Sequence, residues 1–312
     1  MSKIVVAGLV NVETTVKIDS FPIKYTPINF PFFGIQSQAS GVGLNIGKAL
    51  TTLGDDVKLL SLIGKDSAGV IVKNSLRESE IDTSYIIEIL SATSQSVVLY
   101  DEVGKRQIYC DLKEIQDCSY EEDVFRKIIE DSSIVCLCNI NFSRNLLKIA
   151  KDNNKIIATD VQVLKDIYDS YNADYMKYAN ILFLSNENIN EPVEDFVQDI
   201  IKEYDNDIIV VGLGSIGALL YVKKDNYMKR FPAVETREVI NTIGAGDSLF
   251  SSFIHYYSKD GDPYESIKKA IVFASYKIGV ASAADGFLTE EELEKIYTDK
   301  KSTKCNQEHF HL

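Results

Sequence analysis

Residues Glu238 to Ile254 read EVINTIGAGDSLFSSFI, and the reading of that stretch decides the fold. From there on, the apolar residues Leu249, Phe250, Phe253, Ile254 and Tyr257 keep the spacing of one buried helical face. Gly244, Ala245, Gly246 and Asp247 therefore occupy that helix's first turn. A helix start leaves backbone N–H groups without partners and carries about half a positive charge from the macrodipole. This makes an anion site, which glycine opens to close approach by a phosphate, with Asp247 beside it to take a proton from a nucleophile. Taken alone, the same residues also suit a glycine turn with an Asp cap. The rest of the chain decides between the two.

Upstream, IIVVGLGSIGALLYVKK (residues 208–224) contains a literal GxGxxG at Gly212, Gly214 and Gly217, with Glu235 about where a ribose-binding acid of a dinucleotide oxidoreductase would sit. That motif works only if a helix starts at the glycines, so that its N–H groups meet the pyrophosphate. Here ALLYVKK reads as a strand leading into a second one near YMKRFPAV. The glycines are better read as a strand turn against which a nucleotide lies. No GxxxxGK[ST] phosphate loop is present.

Short β-rich runs at Ile4–Gly8, Val57–Ile63, Ile134–Leu137, Ile156–Thr159, Ile181–Leu184 and Ile208–Gly212 alternate with helical patterns near 43–53, 67–79, 143–152 and 191–204. This is the pattern of a mostly parallel sheet with helices on both faces, whose ligands belong at the carboxyl ends of the strands. Two segments break it. Residues 14–38 hold three prolines and several aromatics, and SQSVVLYDEVGKRQIYC (94–110) reads as a hairpin turning near Glu102–Lys105. We expect a main α/β domain of residues 1–13, 39–91 and 113–298, a discontinuous β lid of 14–38 and 92–112, and a flexible tail from 299 to 312.

The net charge of -13 opposes nucleic acid and anionic membrane surfaces as partners. MSKIVVAGLV stops at Asn11, Val12 and Glu13 without a small-residue cleavage pattern, so it reads as a first strand, and no apolar run reaches membrane-helix length. Five cysteines in a chain of 312 residues argue against a disulfide framework and for a reducing cytoplasm. Cys136 and Cys138 alternate in VCLC as packing residues; Cys305, His309 and His311 lie in a polar tail too loose for a metal site. His255 receives no role.

Near the amino end, SGVGLNIGKALTTLGDDVKLLSLIGKDSAG (40–69) places Gly41 and Gly43 in a turn and Asn45 at a helix start. An Asn amide both donates and accepts, as recognition of a polyol requires. Taken with GAGD, about two hundred residues later, the chain resembles the PfkB carbohydrate kinase family, the ribokinase-like kinases. The resemblance extends over nearly the whole chain, through Gly8–Glu13, residues 41–45, IGKDSAG at 63–69, the GLGSIG turn and the GAGD helix.

That resemblance implies a ribokinase-like three-layer sandwich, α/β, with a small β-sheet lid, and transfer of the ATP γ-phosphoryl group to a hydroxymethyl group of a sugar or nucleoside. It gives Asp247 the role of catalytic base, kept ionised by the helix start, and the N–H groups of Gly244, Ala245 and Gly246 that of anion hole. Asn11, Glu13, Gly41, Gly43 and Asn45 match substrate-binding positions. Asn186, Gly214, Ser215, Gly217 and Thr242 match nucleotide-binding ones, with the helix from Glu265 as adenine wall. ATP and Mg2+ are the implied cofactors, and a homodimer through the β lid the implied assembly.

Some positions depart from the family pattern. Glu13 stands where most members have Asp, and Ser40 replaces a glycine. Val42 replaces a frequent Lys of sugar phosphate kinases, while Arg106 in the lid keeps a phosphorylated acceptor open. Asn186 begins the NxxE motif, but its Glu position falls on Ile189; a shifted register offers Asn188 and Glu191, and the metal ligands stay unassigned. Asn241 replaces an Asp of the monovalent cation site, so weak or absent potassium dependence is expected. GVGxN, INxxGAGD and CNI at 138–140 are similar to the pseudouridine kinase branch. A rival reading is a ligand-binding regulator with this fold and little turnover.

Overall fold

The computed structural model describes residues 1–102, 104–280 and 282–308. The chain opens with β1 (Lys3–Ala7), β2 (Asn11–Lys17) and β3 (Ile35–Ser40), then α1 (Val42–Thr52), β4 (Asp56–Gly64), α2 (Ser67–Glu78), β5 (Ile86–Leu90), β6 (Gln95–Tyr100) and β7 (Arg106–Asp111). It continues with α3 (Glu122–Ile129), β8 (Ile134–Leu137), α4 (Arg144–Asp152), β9 (Ile156–Val163), α5 (Ala173–Tyr178), β10 (Ile181–Ser185), α6 (Val193–Glu203) and β11 (Ile208–Gly212). The last part is β12 (Gly217–Val222), β13 (Tyr227–Pro232), α7 (Ala245–Asp260), α8 (Pro263–Lys277) and α9 (Glu290–Glu308).

The large sheet has the order β13-β12-β11-β10-β9-β8-β1-β4-β5, parallel from β11 through β5, with β12 and β13 added antiparallel at one edge. Its parallel strands are apolar on both faces because helices cover both. In β1, Val5 and Ala7 pack with Phe125, Leu146, Tyr175 and Phe196 of α3 to α6. Ile4 and Val6 point the other way, to Leu44, Leu50, Phe250 and Ile267 of α1, α7 and α8. This period-two alternation produces the three layers. Cys136 and Cys138 are buried within the second of these clusters, where burial pushes both thiols up, as expected of packing residues. His255 is likewise structural: its ring is buried and Nδ1 meets Asp55 Oδ2 at 2.8 Å.

A single 3-10 turn at Gly214–Ile216 leads into β12, which pairs antiparallel with β11, so no α-helix starts there and the dinucleotide motif is not built. α7 is anchored where the GAGD reading needs it: Phe183 of β10 meets Phe250 and Phe253 edge-on, with ring centroids 5.1 and 5.3 Å apart.

A small sheet, β3-β2-β6-β7, is built from the two segments that broke the α/β pattern. Asn11 pairs with Ser40 and Glu13 with Gln38, so these two site residues, grouped from sequence with the main domain, stand on the small sheet's first strand. At the other end α9 runs on to Glu308, past the point where a flexible tail was expected. His309 and His311 lie outside the described residues.

α1 starts against the end of β1 through a close backbone approach. A Cβ on Gly43 would lie 2.7 Å from the Gly8 carbonyl carbon. Because backbone cannot yield as a flexible side chain does, Gly43→Ala should cost about 1–3 kcal/mol of stability. Urea denaturation checks this, and an unchanged midpoint would show that the two segments are not in firm contact.

Candidate functional site

The site lies at the carboxyl ends of the parallel strands, between the amino termini of α1 and α7 and beneath the small sheet. Gly244 caps α7 at φ 76°, a left-handed conformation natural to glycine, and any Cβ there would lie 2.8 Å from the Ala283 carbonyl oxygen. Asp247 sits one turn inside, half-buried. Asn45, four residues into α1's glycine turn, donates from Nδ2 to Asp247 Oδ2 at 2.7 Å. This bond joins residues 202 apart in sequence and ties the two family signatures into one site.

The helix start was expected to keep Asp247 ionised, but burial works against it. Burial pushes the Asp247 carboxyl above its ordinary value, while the Asn45 hydrogen bond and the Lys277 charge hold it back. The anion hole also narrows relative to expectation. Ala245 N–H already donates to the Thr242 carbonyl at 3.2 Å, which leaves the N–H groups of Gly244 and Gly246 as its open donors among the described residues. Gly246 is exposed, and a Cβ built on it would find only Asp160 Oδ2, at 3.9 Å.

On the acceptor side the structure gathers Asn11, Glu13, Gly41 and Asn45. Asn11 Nδ2 donates to Ser96 Oγ of β6 at 2.9 Å, and Gly41 caps α1. Gly43 serves the backbone approach to Gly8 described above. Asn11 Oδ1, Glu13 Oε1 and Asn45 Oδ1 are all buried without a hydrogen-bond partner. Glu13 is raised by burial and then by the Asp247 charge, against the lowering effects of Lys277, Ser40 and Arg106. An orphaned buried polar atom costs about 1–3 kcal/mol, so three together mark a surface shaped for a polar ligand.

On the nucleotide side, Gly214, Ser215 and Ile216 form an exposed turn that Gly217 closes, its carbonyl accepting from Leu213 N–H at 2.8 Å. Asn186 lies beside this turn, its N–H on the Gly212 carbonyl at 3.0 Å. Thr242 Oγ1 accepts from Arg106 Nη1 of β7 at 3.1 Å, so the small sheet reaches down to the loop before the anion hole. The helix expected as an adenine wall starts at Pro263, and its Glu265 is held by Tyr297 Oη at 2.7 Å. Ile189 packs against the core in place of the motif's acid. Glu191, the acid of the shifted register, lines a cavity of about 340 Å³ with Lys165, Asp166 and Lys202.

Two residues here were missed from sequence. Asp160, on β9, is pushed up to about 7 by burial, with the Asp247 charge adding to the effect and the Gln162 N–H opposing it. Its signal was an acid at the carboxyl end of a parallel strand. Lys277, fully buried at the end of α8, donates to the carbonyls of Ile243 and Ser282. Its signal was a lysine inside the otherwise apolar AIVFASYKIGV.

A carboxylate beside open glycine amides on a three-layer α/β fold, with a small sheet above them, suits a phosphotransferase of the ribokinase-like class. The chain belongs to the pfkB family of carbohydrate kinases, whose model matches residues 1–290. Its reaction is therefore that of an ATP-dependent sugar or nucleoside kinase. It is 27% identical over 310 residues to a ribokinase of Dictyostelium discoideum, covering 89% of this chain and 94% of that one. It is 22% identical to an ATP-dependent ribose-1-phosphate kinase of Halopiger xanaduensis, covering 93% and 99%. A microbiome-derived acarbose kinase has the same fold, with a TM-score of 0.86 at 23% identity over 95% of this chain and 99% of that chain.

The Asn45 bond favours the charged form of Asp247. Asn45→Ala should therefore move the acid limb of the kcat profile to higher pH and raise the acceptor KM, read by steady-state kinetics across pH. An acid limb that stays in place would mean that Asp247 does not set it.

Proposed function

We propose that the chain moves the γ-phosphoryl group of ATP to the hydroxymethyl group of a ribosyl sugar or nucleoside, with Asp247 as catalytic base. The observation that carries this reading is the set of orphaned oxygens on Asn11, Glu13 and Asn45, grouped around a carboxylate at a helix start. Those oxygens accept acceptor hydroxyls, and the Asn45 Nδ2 bond aims Asp247. The Asp247 carboxylate takes the hydroxyl proton as the oxygen attacks, while the N–H groups of Gly244 and Gly246 bind the transferring oxygens. ATP supplies the phosphoryl group and lies along the Gly214–Gly217 turn, with Thr242, Asn186 and α8 beside it. Asp160, with its carboxyl pushed up to about 7, can carry a proton and so stand near the phosphates without full repulsion.

Magnesium is proposed as the counter-ion of the nucleotide, held mainly by the phosphates themselves. Asn241 uses its Oδ1 to accept from Ile243 N–H at 2.9 Å and brings no charge, in keeping with weak or absent potassium dependence. A sugar phosphate acceptor is the second reading, and it rests on Arg106 at the rim of the lid. We place the enzyme in the cytoplasm on its free cysteines. No described helix is long and apolar enough to cross a membrane.

The assembly we propose is a homodimer through the small sheet. Tyr25, Phe30, Phe32 and Phe33 are 73–99% exposed on the segment between β2 and β3, and Ile108 and Tyr109 are exposed on the edge strand β7. Large apolar side chains exposed on the β2–β3 connection and on an open edge strand favour burial against a partner. Phe32→Asp with Phe33→Asp should convert a dimer to a monomer by light scattering, whereas a wild-type monomer would end the proposal.

Asp247→Asn should lower kcat by about 10² to 10⁴ with ATP binding nearly intact. The check is ADP release over pentoses, hexoses, nucleosides and sugar phosphates, together with ATP titration. Unchanged turnover removes Asp247 from the mechanism. Binding of ATP without turnover of any acceptor would favour the regulator, the reading that Ile189 in place of an acid motivates.

A further inference from the structure

Lys277 is a buried charged group that the mechanism above leaves unused. It ends α8, where the negative end of the helix dipole favours a cation, and its side chain is fully enclosed. Its Nζ donates to the Ile243 carbonyl at 2.6 Å and to the Ser282 carbonyl at 2.5 Å. A Cβ built on Gly244 would lie 3.4 Å from the same nitrogen, so the ammonium sits directly behind the first glycine of the anion hole.

The Ile243 carbonyl and the Gly244 N–H belong to one peptide unit. That unit is planar and trans, so its C=O and N–H point to opposite sides. Drawing the carbonyl onto the ammonium turns the Gly244 N–H away from Lys277. The charged groups around Lys277 are Asp247 of α7, Glu13 of β2, Asp285 after α8 and Arg237 before α7. Asp285 is itself bonded by Lys48 of α1 at 2.8 Å. Burial pulls the ammonium down to about 8, the three carboxylates oppose this and Arg237 adds to it. A lysine held there loses its charge within reach of ordinary assay pH.

We propose that Lys277 is a positioning residue for phosphoryl transfer: its ammonium fixes the Ile243–Gly244 peptide so that the Gly244 N–H faces the transferring group, and its charge keeps Asp247 ionised. The inference rests on the phosphotransferase reading of the same site. It explains why an enzyme would bury a lysine against two carbonyls when an apolar side chain would spare the desolvation cost.

The test uses the full chain with Lys277→Met and Lys277→Gln, the second keeping a donor for one carbonyl but no charge. In both, kcat should fall by about 10² to 10³, the scale of losing one anion-hole donor, with ATP and acceptor KM within about threefold. The unsubstituted enzyme should lose kcat above about pH 8, where the ammonium deprotonates. That limb should vanish in both variants, and their acid limb should move upward for want of a neighbouring cation. A merely structural lysine would change the melting temperature and leave both limbs in place. A folded variant with wild-type kcat, or one that keeps the alkaline limb, overturns the proposal; the Gln variant carries the test if the Met variant does not fold. Failure of the underlying reading looks different, because the unsubstituted protein then turns over no acceptor at any pH, and this inference falls with it.

Discussion

The bond from Asn45 to Asp247 is the constraint on which the site depends. It spans 2.7 Å in space and 202 residues in sequence, and it can form only if two helices begin side by side at the edge of one sheet. Asp247 is thereby caught between opposing influences. Burial favours its neutral form, whereas a neutral amide and a buried ammonium favour the charged one. In the proposed role a base must be ionised to accept a proton yet not so well stabilised that it declines one, and these opposing influences suit that requirement.

The fold serves that balance through packing. Gly43 lets α1 start against Gly8, and Phe183 holds α7 on β10, so both amino termini are fixed by backbone and aromatic contacts. Above them, the small sheet contributes Asn11, Glu13 and Arg106, so in the proposed mechanism acceptor recognition would fall on a part of the molecule separate from α7.

Much of this was legible in the sequence because it rests on local chemistry. The GAGD stretch announces a helix start, and ALLYVKK, a short apolar run without a helical face, shows that GLGSIG opens a strand. The hairpin at 94–110 declared itself by its turn residues. What was not legible depends on tertiary burial. Nothing local says that Lys277 is enclosed, that Asp160 lies beside Gly246, or that Ala245 spends its N–H on Thr242. The upward push on the Asp247 carboxyl was hidden for the same reason, since a helix start is visible in a sequence and desolvation is not. Ile189 shows the converse: the altered motif was plain, but only packing showed that the position had joined the core.

The most direct measurement is a crystal structure with ADP, aluminium fluoride as the phosphoryl mimic, and a turned-over acceptor. The account places the acceptor hydroxyl oxygen within hydrogen-bond distance of an Asp247 carboxyl oxygen, in line with the mimic, and the fluorides on the N–H groups of Gly244 and Gly246. A mimic bound away from those amides, or an acceptor hydroxyl out of reach of Asp247, would contradict it.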